Sequence, residues 1–144
     1  MTTPGHAALR QLALRALERR AGSTDGAEAL AAAARRAYDD LALVSAPLIG
    51  DVGVEALTGR ALHLAQREYP WLLPTGERES ADKPFAQIVR CLEQQEPAVA
   101  AEAAGTVFAL LMELLVTFIG DPLTQGLLHQ AWPDAFAEAS TEET

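Results

Sequence analysis

An all-helical domain is what this sequence predicts, and three observations carry that expectation. The 144 residues include 29 Ala and 21 Leu, both strong helix formers. Aromatic residues make up only 6%, and β-branched residues are scattered, which disfavours a sandwich, a barrel or a parallel-sheet nucleotide fold. Apolar residues recur at spacings of three and four in segments separated by Pro, Gly and Asp. The length suits one domain with a sizeable core.

Six helical segments are expected. The first covers about residues 4–21, with Thr3 as N-cap and Pro4 at the first helical position, where a missing N–H is no loss. Leu9, Leu12, Ala13, Ala16 and Leu17 share one side of it, and Gln11, Arg15, Glu18 and Arg19 the other. Asp25, with Glu28 three residues on, resembles a capping box opening a long second helix to about Ala46, which Pro47 to Gly50 would break. A third helix is expected from near Asp51 to Tyr69, ahead of Pro70. Residues 70–83 read as a connector. The fourth helix, Pro84 to about Gln95, carries an apolar stripe of Phe85, Ile88, Val89 and Leu92. The fifth spans Pro97 to Ile119, and the sixth opens on Asp121-Pro122 and stops by Trp132. A single helical domain over 1–133 is then followed by a flexible acidic tail, 134–144.

Three blocks recur in order. Leu14-Arg-Ala-Leu-Glu18 resembles Val89-Arg-Cys-Leu-Glu93, and Leu48-Ile-Gly-Asp51 resembles Phe118-Ile-Gly-Asp121. Leu57-Thr-Gly-Arg-Ala-Leu-His-Leu-Ala65 resembles Leu123-Thr-Gln-Gly-Leu-Leu-His-Gln-Ala131. Between the first two blocks, Ala27, Leu30, Ala34, Ala37, Leu41, Val44 and Leu48 match Pro97, Ala100, Ala104, Val107, Leu111, Leu114 and Phe118 at a constant offset of 70. The pattern predicts two short-long-short repeats, about 4–72 and 84–133, packed around a pseudo-twofold with the long helices central. In each Ile-Gly-Asp turn the Gly is expected to close one helix in a left-handed conformation and the Asp to cap the next.

The formal charge of −9 disfavours binding to nucleic acid. Residues 1–36 carry +3 and residues 37–144 carry −12, a distribution suited to self-association or to docking a basic protein. Cys91 stands alone, so no intrachain disulfide can form, and the N-terminus lacks the basic and apolar regions of a signal peptide; a cytoplasmic protein is expected. The apolar run from Ala103 to Ile119 approaches the length of a membrane span, but Glu113 would cost about 2.5 to 3.5 kcal/mol there, and a buried soluble helix with no membrane contact is the expectation.

Among chemically versatile residues, His63 and His129 alone recur at matched places, with the polar neighbours Arg60, Gln66, Arg67, Gln125 and Gln130. No further ligand stands at i, i+4, so no metal site and no cofactor is expected. Glu113 shares a stripe with Glu102, Thr106, Ala109 and Gly120, read as solvated or as lining an interface or pocket. Trp71 and Trp132, each beside a Pro after a helix end, would plug the core or, if exposed, anchor a partner.

In size, charge and helicity the chain resembles His-containing phosphotransfer domains. Those carry Lys three and Gly four residues after the His, where this sequence has Gln66 and Arg67, or Trp132 and Pro133. The doubled short-long-short order resembles a fused histone-fold pair in architecture. With no nucleophile, base and orienting group at recognisable spacing, the expectation is a non-enzymatic protein-protein interaction or regulatory protein, as a homodimer or with another protein. A His-dependent phosphotransfer role and a helical small-molecule binder are the alternatives.

Overall fold

A computed structural model describes residues 6–21, 26–72 and 84–135. The elements are α1 (His6–Ala21), α2 (Ala27–Ala65), a 3-10 turn (Pro70–Leu72), α3 (Pro84–Glu93), α4 (Pro97–Ile119) and α5 (Asp121–Ala131). The described residues are helical without strands. Thr3, Asp25, most of the connector and residues 136–144 lie outside the described residues.

α2 is a hairpin. At Gly50 the backbone adopts φ 83 and ψ 156, and the chain turns back so that the Tyr38 hydroxyl lies 2.9 Å from Thr58 Oγ1 across the turn. One arm is 27–49 and the other 51–65. Pro47 therefore does not end the helix, contrary to the sequence expectation. It removes one ladder bond, that to the Leu43 carbonyl, within a turn of the true break, where the ladder is about to stop. The returning arm ends at Ala65 rather than Tyr69: tighter bonds from Arg67 N–H to the Leu64 carbonyl and from Glu68 N–H to the Ala65 carbonyl close the helix ahead of Pro70.

Gly120 repeats the device between α4 and α5, with φ 94 and ψ 158. These ψ values place both glycines outside the left-handed helical region expected from sequence, in a region open almost exclusively to Gly. The Asp residues also differ from expectation. Gly120 is itself the N-cap of α5, without a side-chain cap bond, and Asp121 is the first helical residue, where its charge meets the positive pole of the helix.

The long segments, 27–49 and α4, run side by side in the same direction. Phe85 bridges their middles, stacked on Tyr38 with centroids 4.2 Å apart and tilted against Phe108 at 5.5 Å. Further along, Leu41, Ser45 and Ile49 share a cavity of about 10 Å³ with Leu111 and Leu115. At the ends, Leu48 lies beside Pro122 and Leu123. Alanines at 31, 33, 34, 37, 100, 103 and 104 are buried along these helices, and small side chains allow close approach. α1 packs on α4 and α3 on α2; a Cβ on Gly105 would lie 3.3 Å from Leu14 Cδ2, so this contact is close.

Arg20, with a side chain 12% exposed, ties three helices together. Its Nη2 donates to Asp40 Oδ2 at 2.8 Å and to the Ala131 carbonyl at 3.0 Å. Asp134, 3.5 Å from Nη1, adds a fourth segment. Ala135 is buried and its carbonyl accepts from Arg15 Nε at 3.2 Å, so the packed domain reaches residue 135, past the expected boundary at 133.

Two sets of substitutions test this account by chemical denaturation. Leu41→Ala or Leu111→Ala should cost about 2 to 5 kcal/mol. Gly50→Ala and Gly120→Ala should each cost about 1 to 3 kcal/mol. A Cβ at Gly50 would meet nothing within 4 Å, so that loss comes from the backbone dihedrals and not from crowding.

Candidate interaction surface

Burial along the expected seam is uneven, and the unevenness locates a site. Ala34, Ala37 and Leu41 are buried on one long helix and Ala104, Val107 and Leu111 on the other; Val44 and Leu114 are half-buried. Leu48 and Phe118, the last matched pair, are instead 49% and 64% exposed. They correct the expectation of a seam buried throughout. Among the described residues nothing fully covers this face at the ends of the long helices.

Leu43, Val52 and Leu123 are 75%, 82% and 53% exposed, completing the set of exposed large hydrophobic residues among the described residues. Leu48, Val52, Phe118 and Leu123 lie within three residues of the two glycine turns, and Leu43 two helical turns before Gly50. Between α2 and α5 an open groove of about 550 Å³ is lined by Leu43, Val44, Pro47, Leu48, Pro122, Leu123, Gly126, Leu127 and Gln130. A neighbouring depression adds Asp39, Ala46, Gly50 and Asp51, and another adds Arg20, Asp40, Pro133 and Asp134. Carboxylates thus border an apolar surface. Asp121, at the second turn, has a buried Oδ1 without a hydrogen-bond partner.

His63 and His129 are both exposed, on the returning arm of α2 and on α5, and neither belongs to a group of three or more metal-binding side chains among the described residues. Glu113 is half-buried. Its stripe is not solvated as expected, because Thr106 is 3% exposed and Ala109 fully buried; the Tyr69 hydroxyl lies 3.4 Å from Thr106 Oγ1. Trp71 is half-buried and packs edge-on against Tyr69.

Trp132 is fully enclosed, edge-on to Phe108 at 5.6 Å, and its indole N–H donates to the Ala37 carbonyl at 3.1 Å. Of the two readings of Trp132, its burial fits the core plug and rules out the interaction anchor, since a residue 0% exposed has no surface to offer. Cys91 is half-buried against the core. Ser45 is 2% exposed with its Oγ unpartnered, beside a cavity with room for one water at most.

α4 is long and apolar enough to cross a membrane by length and composition, and the comparable stretch of α2 is interrupted by the reversal at Gly50. In α4, 61% of that apolar stretch is buried against other helices, as in a core helix; in α2 the figure is 22%.

The sequence reading missed this surface because spacing marks an apolar face without saying whether a neighbour covers it. The available signal was Leu43 and Val52, apolar residues outside the matched seam. The placement of the two tryptophans is checked by fluorescence. In Trp71→Phe the remaining emission should be blue-shifted and poorly quenched by acrylamide; in Trp132→Phe it should be redder and more readily quenched. Compared with protein-family models, with curated proteins and with solved structures, the chain matches none.

Proposed function

We propose that this chain is a non-enzymatic protein-protein interaction module built from two helical repeats, with its partner docking on the apolar end where both glycine turns lie. One observation carries the reading: five large hydrophobic side chains, 49 to 82% exposed, lie on the segments that meet at the two glycine turns, and Leu43, Leu48 and Leu123 among them line one open groove. Exposed apolar surface of this kind marks a binding face.

Several local matches support the repeat. The segments 27–49 and 97–119 have equal length, and Gly50 and Gly120 share one unusual conformation. Thr58 and Thr124 are both fully buried, and each donates its hydroxyl four residues back, to the carbonyls of Val54 and Gly120 at 2.8 Å. α1 packing on α4 corresponds to α3 packing on α2. On this reading a pseudo-twofold runs between the long helices and brings both turns to one end. A homodimer through that end would set Asp39 and Asp51 against their own copies, which favours a partner of opposite charge.

The test is photo-crosslinking in the native host, with benzoylphenylalanine at Val52 or Phe118 and, as a control, at Glu28 near the opposite end. The expected result is a discrete protein adduct from the turn-end positions and none from Glu28. An absence of adducts at both turn-end positions would overturn the proposal. His63→Gln and His129→Gln should leave the adducts intact. Acid-labile phosphate carried by the wild type and lost in one of those variants would install the phosphotransfer reading instead.

A further inference from the structure

Resting on that reading, the geometry points to a specific occupant: we infer that the groove between α2 and α5 receives an amphipathic helix with basic flanks from a partner protein. Two apolar helices lying side by side leave a cleft shaped for a third. Leu43 and Leu48 stand on one side and Leu123 and Leu127 on the other. On α2 the cleft is lined from Leu43 to Leu48, a rise of about 8 Å, which matches between one and two turns of a partner helix.

Gly126 strengthens the case. It lies within α5, where Gly is less favourable than Ala by about 1 kcal/mol, and no positive φ requires it there. A Cβ built on it would meet nothing within 4 Å among the described residues, so no contact among them explains the missing side chain either. A bare backbone facing the groove permits close approach of another helix.

Charge selects the partner. Asp39 and Asp51 line one depression adjoining the groove, and Asp40 and Asp134 line another. Arg20, the one base lining these depressions, is held by Asp40, Asp134 and the Ala16 and Ala131 carbonyls. Asp39 has Arg35 at 3.6 Å, an exposed pair that leaves both side chains largely in solvent. The rim is therefore negative, which favours Lys or Arg flanking the partner's apolar stripe and disfavours an anionic lipid surface or a second acidic copy of this chain.

The experiment uses the intact chain and a fluorescein-labelled probe of about 16 residues with Leu at i, i+3, i+4, i+7, i+8 and i+11 and Lys or Gln elsewhere. A second probe replaces every Lys with Glu. By anisotropy the Lys probe should bind at least about tenfold more tightly than the Glu probe. Gly126→Leu should weaken the Lys probe by at least about tenfold without lowering the melting temperature. Leu123→Gln should weaken binding in the same direction, and Asp39→Asn with Asp51→Asn should reduce the preference for Lys over Glu.

Equal binding of the two probes, or full binding by folded Gly126→Leu, would overturn the inference. A dimer in sedimentation equilibrium that Gly126→Leu dissociates would also overturn it, because the occupant would then be a second copy. Binding to anionic vesicles in preference to the Lys probe would do so as well. The broader reading is tested separately: adducts from Val52 and Phe118 that persist in Gly126→Leu would leave the interaction module standing while removing the groove as its seat.

Discussion

Two reversals of the backbone, at Gly50 and Gly120, determine where the other elements lie. Each requires a positive φ with an extended ψ, a combination that a side chain makes costly. Each sends a shorter helix back along the long one, and the Tyr38 to Thr58 and Phe108 to Trp132 contacts record the return. The long helices can then remain parallel and share one seam. Buried threonines show how fully the returning arms are used: Thr58 and Thr124 satisfy their own hydroxyls through the carbonyls of Val54 and Gly120, so a polar residue can occupy the interior at little penalty.

Much of the architecture could be read from the sequence where local chemistry and periodicity agreed. Pro97 and Gly120 bracket α4 as read, because Pro is tolerated at a helix start and Gly supplies the stop. Pro47 misled because a proline one turn before a helix end removes a bond that the end would soon forgo. Thr58 and Thr124 read as polar, yet both are interior. Trp132 lies between Phe108 and Ala37 because its one polar atom finds a carbonyl there. No feature of the dipeptide Trp132-Pro133 announces that partner.

The site was less legible for a related reason. Spacing of three and four identifies Leu48 and Phe118 as continuations of an apolar face, and so they are. Whether such a face is covered depends on where the neighbouring helices stop, which is a tertiary property. Residues chosen for their chemistry, His63 and His129, are exposed on two different helical segments. The surface that distinguishes this molecule is built from leucine, valine and phenylalanine, residues that a search for reactive groups passes over.

Gly50 has one more consequence. A single φ, ψ pair separates the α2 hairpin from an extended form, for with helical angles there residues 27–65 would form one helix about 58 Å long, kinked at the now interior Pro47. The arm 51–65 would then leave its own seam and could complete that of a neighbouring molecule, an exchange of identical elements between chains. Thr58, Ala61, Leu62 and Ala65, all buried, hold the arm at home, and the short tether gives the intramolecular contact a high effective concentration. Conditions that loosen the seam while keeping helices intact would therefore favour intertwined dimers over unfolded chains.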